Sequence, residues 1–168
     1  MMTKIFSALI LISIFASCVK NDTKCSYTDS TVTVPAAEIQ ALQDSLTVHN
    51  IQGAMQHPSG FFYTIGAPGS GAGIANLCSS ITVTYRGSFF NDHVFDSTAA
   101  GQVATFQLGM GIVGWQKALP LISKGGQITL YIPPTLGYGS TPATDSQGNV
   151  VIPANSYLIF NINLADIH

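Results

Sequence analysis

The chain has 168 residues, room for one domain and a modest appendage, and is poor in charge: 8% Asp, Glu, Lys and Arg, a formal balance of −2, and 46% hydrophobic residues. No basic stripe is present, so nucleic acid is not an expected partner. The carboxylates are too sparse for a calcium cage or a glycosidase pair. His49, His57, His93 and His168 show no ligand spacing with one another or with the cysteines, so neither a metal nor a cofactor is expected.

Residues 1–18 read MMTKIFSALILISIFASC. Lys4 supplies a positive start, an apolar run follows from Ile5 to Phe15, and Ala16-Ser17-Cys18 closes it. The run is too short to span a bilayer comfortably, so a cleaved export signal is expected over residues 1–17. The ending resembles the lipobox of bacterial lipoproteins, whose cysteine is acylated and becomes the mature N-terminus. That resemblance implies lipidation at Cys18, although Phe15 stands where Leu is more usual. An ordinary signal peptide with an incidental cysteine is the alternative. Val19, not aspartate, follows the cysteine, which under the same resemblance favours an outer-membrane anchor facing the periplasm.

Residues 18–34 read as a polar tether rich in Asn, Asp, Thr, Lys and Ser. Pro35 suits a first helical turn. Ile39, Leu42 and Leu46 then recur at helical spacing with Gln40, Gln43 and Asp44 between them. This predicts an amphipathic helix of about three turns that docks on the main domain; a partner-binding helix is the alternative. Phe61 to Ile65 reads as a strand and GAPGSGAG (66–73) as a loop; the loop lacks the Gly-Lys-Ser/Thr ending of a phosphate cradle. Residues 35–78 thus form an N-terminal extension. Cys25 and Cys78 are left over in a chain read as exported, so a disulfide is expected, with two buried free thiols as the alternative.

From Ile81 the pattern becomes mostly β. Strands are expected at 81–89, 103–108, 127–133 and 157–166. In the first of them Thr82, Thr84 and Arg86 alternate with Val83 and Tyr85, the period of a half-buried strand. A short helix fits near 115–121, limited by Pro120. The class is α+β, an antiparallel sheet with one short helix packed on it. Gly109-Met110-Gly111-Ile112-Val113-Gly114 matches a dinucleotide-binding spacing. The helix is too short for a βαβ crossover, however, and no acid occurs between Asp96 and Asp145, so these glycines are read as a turn that feeds Trp115 into the core.

Five blocks remain: VTYRGSF (83–89), VFDS (94–97), GWQKAL (114–119), LGYG (136–139) and VIPANSYLIF (151–160). They supply the rings of Tyr85, Phe95, Trp115, Tyr138 and Phe160 and one well-placed carboxylate, Asp96. Such a set suits a pocket for an apolar group rather than a proton shuttle. No nucleophile-elbow sequence occurs, so covalent catalysis is not expected.

In this order and spacing the blocks resemble the FKBP-type peptidyl-prolyl isomerases, over about residues 79–168. The resemblance implies a half-barrel of five or six antiparallel strands curled around one short helix, with the N-terminal helical extension added. It further implies a proline pocket between helix and sheet. Tyr85, Phe95, Asp96 and Tyr138 match its catalytic positions. Ile112 matches the residue whose backbone amide contacts substrate, Trp115 the pocket floor, Val151 and Ile152 the flap, and Phe160 the last wall. The chain departs from the family at Ala104, where an aromatic is frequent. Ala99 to Gln102 offer no arginine to pair with the aspartate, and the flap STPATDSQGN after Tyr138 is long and polar. The leader and the Cys25–Cys78 extension resemble exported lipoproteins of the same family. The implied protein is a monomeric, lipid-anchored envelope isomerase acting on proline-containing segments of exported proteins. A low-turnover proline-binding module is the alternative.

Overall fold

A computed structural model describes residues 25–168. The expected export signal and Cys18 lie outside the described residues. Ala36–Val48 form helix α1, entered through Pro35. Its Leu42 and Leu46 are 0% and 2% exposed and pack on Phe62 and Tyr131, so the apolar stripe docks on the sheet. Full burial of each leucine contributes about 1.5–3 kcal/mol.

Nine strands follow. β1 is Met55–Gln56, β2 Phe62–Ala67, β3 Ser80–Ser88, β4 Val94–Ser97 and β5 Ala104–Gln107. β6 is Gln127–Ile132, β7 Ala143–Thr144, β8 Val150–Ile152 and β9 Leu158–Ile167. Helix α2 is Val113–Ala118 and runs into a tight 3-10 turn at Leu119–Leu121. Pro120 lies inside that turn, where its missing N–H ends the α-helix.

The main sheet is antiparallel, with order β1-β2-β6-β9-β3-β4 and β5 also paired to β3. Its seventh strand is the two-residue β1, beyond the five or six that the family resemblance implies. β2 belongs to this sheet through five registered pairs with β6, from Phe62–Tyr131 to Ala67–Gln127. β9 lies at the centre and pairs with β6 and β3 along its length. β7 and β8 form a separate hairpin in the segment after Tyr138.

Alternation along the strands separates two faces. On β6, Ile128, Leu130 and Ile132 enter the main core, as do Phe160, Ile162 and Leu164 of β9. Trp115, Ala118 and Leu119 from the helical segment meet them there. Tyr131, the odd residue of β6, points to the opposite face and is covered by α1. The sheet is thus filled by α2 on its inner face and partly roofed by α1 on its outer face.

The glycines of 109–114 have packing roles. A Cβ on Gly114 would fall 2.7 Å from Ile132, so glycine lets α2 approach β6 closely. Gly109 lies against the ring of Tyr27, which leaves no room for a side chain. Gly111 continues the chain to Ile112, whose extended backbone (ψ 154°) starts α2 and sends Trp115 inward. Cys25 and Cys78 form a disulfide with a Cα–Cα distance of 5.5 Å. Residues 25–34, the distal part of the expected tether, lie along the domain, and Val34 joins the main core.

Candidate functional site

Between α2 and the inner face of the sheet lies a cleft of about 400 Å³. β3 contributes Tyr85, β4 Asp96 and β9 Phe160, while α2 contributes Trp115 and its N-cap Ile112. Tyr138 closes one side from the loop after β6. The sequence-expected residues Tyr85, Asp96, Ile112, Trp115, Tyr138 and Phe160 therefore converge on one cavity.

Their rings meet edge to face. Trp115 lies 5.2 Å from Phe160 at 89° and 5.3 Å from Tyr85 at 82°. Such pairs place a positive ring edge on a negative face and add about 0.5–1.5 kcal/mol each beyond area burial. Trp115 is 5% exposed, and its indole N–H is buried with no hydrogen-bond partner among the described residues. Phe95 does not line the cleft. It stands behind Phe160, 5.5 Å away at 83°, and 5.0 Å from Phe89. Gly87 lies beneath both rings; a Cβ there would fall 2.6 Å from Phe95 and 2.9 Å from Phe160.

The polar groups are few and directed. The Tyr85 hydroxyl donates to Asp96 Oδ2 at 2.5 Å. This bond occupies the carboxylate where no arginine is available. Arg86, next in the chain, faces away and donates to Ser88 Oγ and the Asp92 carbonyl, both at 3.3 Å. The backbone N–H of Ile112 has no partner among the described residues, whereas its carbonyl accepts from Trp115 and Gln116 at 2.9 and 3.2 Å. A free donor thus stands at the cleft beside apolar walls.

Burial raises the Tyr85 pKa above its ordinary value, and the Asp96 carboxylate raises it further. Burial and Asp96 act in the same direction on Tyr138. Both phenols stay protonated through neutral pH and can donate hydrogen bonds. The unfolded tyrosine titrates near 10, and the folded one higher. The associated stability is therefore complete below about pH 10 and is lost as pH rises from there toward the folded pKa. Tyr131 and Tyr157 are raised as well, so the wild type should lose unfolding free energy steeply above about pH 10. Tyr85→Phe should make that loss shallower. Urea unfolding between about pH 8 and 11 checks this, and an unchanged alkaline slope in Tyr85→Phe would contradict it.

The flap residues stand apart. Ile152 is 4% exposed and belongs to the core, Val151 is 37% exposed on the surface, and neither lines the cleft. Four lining residues had no expected role in binding: Ala104, Phe106, Met110 and Gly111. Phe106 lies 5.9 Å from Trp115 and extends the aromatic wall. Period-two alternation in Ala104-Thr105-Phe106-Gln107, with Thr105 and Gln107 outward, is the signal that could have found the first two. A shallow depression of about 430 Å³ on the outer face is lined mostly by polar residues, among them Thr64, Thr84, Arg86, Thr129 and Asn161, with Tyr85 as its one aromatic residue. Among the described residues, no three His, Cys, Asp or Glu side chains come together as a metal site would require.

The family model for FKBP-type peptidyl-prolyl cis-trans isomerases matches residues 73–165. The chain belongs to this family. The FKBP-type isomerase FkpA of Buchnera aphidicola (subsp. Schizaphis graminum) is 44% identical over 118 residues, 70% of this chain and 44% of the relative. The outer membrane protein MIP of Legionella longbeachae is 39% identical over 111 residues, 66% of this chain and 45% of the relative. The chain thus spans under half the length of these two relatives. A crystal structure of the peptidyl-prolyl cis-trans isomerase of Pseudomonas syringae pv. tomato superposes with a TM-score of 0.64 at 25% identity, covering 82% of this chain and 98% of that one. The FKBP fold therefore accounts for the half-barrel, and the cleft lies where its sheet and helix meet.

Proposed function

We propose that this chain is a peptidyl-prolyl cis-trans isomerase of the cell envelope, acting on proline-containing segments of exported proteins. The observation that carries the reading is the cleft itself: an aromatic floor and walls, a free Ile112 N–H, and a carboxylate already bonded to Tyr85. Rotation about an X-Pro amide crosses a barrier of about 18–20 kcal/mol and takes tens to hundreds of seconds unaided. The planar amide is more charge-separated than the twisted one, so a dry aromatic cleft disfavours the ground state relative to the transition state. Trp115 would support the proline ring, with Tyr85 and Phe160 as walls. Ile112 N–H and the Tyr138 hydroxyl would donate to peptide carbonyls. Asp96 would orient the Tyr85 hydroxyl. No proton transfer and no nucleophile is needed.

A protease-coupled assay on a peptide with a bulky apolar residue before proline tests the reading. Wild type should accelerate isomerisation, more weakly than family members whose aspartate pairs with an arginine. A rate equal to the uncatalysed one in folded protein would instead favour a proline-binding module with little turnover.

The envelope assignment rests on the leader sequence and on the Legionella relative's name, which places that relative in the outer membrane. In this reading residues 1–17 are removed, Cys18 carries lipid, 18–34 link the anchor to the protein, 35–78 form the extension, and 79–168 form the isomerase domain of a monomer. Mass spectrometry of the native N-terminal peptide should find an acylated Cys18. A mature N-terminus beginning elsewhere would refute the anchor.

A further inference from the structure

The N-terminal segment touches the pocket-bearing elements one after another. The Tyr27 ring lies on Gly109, in the turn that leads to Ile112. The Ser30 carbonyl accepts a hydrogen bond from Lys117 Nζ at 2.9 Å, two residues beyond Trp115 on α2. Glu38, in the first turn of α1, accepts twice from Thr135: from its N–H at 3.0 Å and from its hydroxyl at 2.7 Å. Glu38 and Thr135 are 97 residues apart in sequence, both are half-buried, and Glu38 lies outside the family-matching residues 73–165.

Thr135 is the middle residue of the 3-10 turn Pro134–Leu136. The Pro134 carbonyl accepts from the N–H groups of Gly137 and Gly139, both at 2.9 Å, and so fixes the backbone on either side of Tyr138. Tyr138 is 40% exposed. Among the described residues it stacks on no other ring, so its hydroxyl is placed over the cleft mainly by its backbone.

We infer that Glu38 is a positioning residue for the cleft: through Thr135 it holds the loop that presents Tyr138. The inference rests on the isomerase reading above. The two oxygens of a carboxylate match the two donors of Thr135, and charge-assisted bonds of this kind are about twice as strong as neutral ones. A negative charge at the N-terminus of α1 would by itself favour the helix, without any part for Thr135. The two roles respond differently to substitution. In Glu38→Gln the charge is gone, yet the amide can still accept from the Thr135 N–H and donate to its hydroxyl.

The test uses the full chain and four variants: Glu38→Ala, Glu38→Gln, Thr135→Val and Leu46→Ala. kcat and KM are measured on an X-Pro peptide, and amide chemical shifts are followed from Thr135 to Gly139. Glu38→Ala should lower kcat about fivefold, leave KM within about twofold and move the Tyr138 amide, because misplacing one donor costs mainly the transition state. Thr135→Val should do the same in the same direction, and it stands in if Glu38→Ala fails to fold. Glu38→Gln should restore kcat to within about twofold of wild type. Leu46 is buried against the outer face with Phe62 and Tyr131, so Leu46→Ala should lower Tm with kcat unchanged. An unaltered kcat and an unmoved Tyr138 amide in Glu38→Ala would overturn the inference. So would a Glu38→Gln variant as impaired as Glu38→Ala, or an equal loss of kcat in Leu46→Ala. An inactive wild type would overturn the isomerase reading alone; the Tyr138 amide shift in Glu38→Ala, and its recovery in Glu38→Gln, would then decide the positioning role.

Discussion

Phe95→Ala is expected to lower kcat/KM at least tenfold, and Asp96→Ala by less. A tenfold loss corresponds to about 1.4 kcal/mol of transition-state stabilisation. Phe95 makes no wall of the cleft, yet its ring backs Phe160 edge to face and fills the space above Gly87. Truncation opens a void behind Phe160, which is 4% exposed. Phe160 can then swing away from Trp115, and water gains access to a site whose proposed effect depends on excluding it. Partly buried phenylalanine truncations of this kind also cost roughly 2–4 kcal/mol of stability, so kinetics are to be read on protein shown to be folded. Asp96 is exposed, and among the described residues its carboxylate bonds only to the Tyr85 hydroxyl. Its removal leaves that hydroxyl free to turn or to bond water, which loosens the site without wetting it. If Asp96→Ala proved the more damaging change, electrostatics rather than desolvation would carry the rate.

β3 and β9, which bring Tyr85 and Phe160 to the cleft, are legible in sequence because each alternates over nine or ten residues. Thr82, Thr84 and Arg86 alternate with Val83 and Tyr85, which fixes the face of β3 before any contact is known. β9 was found within a residue at each end for the same reason. β4 reads as a motif rather than a strand, since Val94-Phe95-Asp96-Ser97 has two apolar residues followed by two polar ones and no alternation. The β7–β8 hairpin reads in sequence only as a long polar flap because its strands are two and three residues long and mostly exposed. Non-local pairing was invisible. Phe61 to Ile65 looked like a strand of the extension, and nothing local shows that Phe62 pairs with Tyr131.

The site divides along the same line. Tyr85, Trp115 and Phe160 share the cleft because the core pattern fixes the face of their elements; Asp96, Ile112 and Tyr138 join them there, while Phe95, from the same motif as Asp96, stands behind Phe160. Val151 and Ile152 do not share it, since the long flap gives no local rule for where its hairpin lies. The tie from Glu38 to Thr135 could not be read at all: an acid in a first helical turn is explained locally by the helix dipole.

Replacing both Cys25 and Cys78 by serine should cost about 4 kcal/mol of unfolding free energy, the largest stability effect expected of any change outside the core. The pair is separated by 53 residues, and closing a loop of that size removes much of the entropy of the unfolded chain. The bridge also fastens the N-terminal segment to the sheet. Cys78 stands two residues before β3, whereas residues 25–35 have no regular structure of their own. That segment keeps Tyr27 on Gly109, the Lys117–Ser30 bond and buried Val34 without the disulfide, so native structure should persist at room temperature. Urea unfolding followed by the fluorescence of Trp115 measures the difference. The unbridged denatured state exposes more surface, so m should rise as the midpoint falls. A loss below about 1 kcal/mol, with m unchanged, would mean that the thiols are not joined in the native protein. Thiol labelling of unreduced wild type would then show two free cysteines.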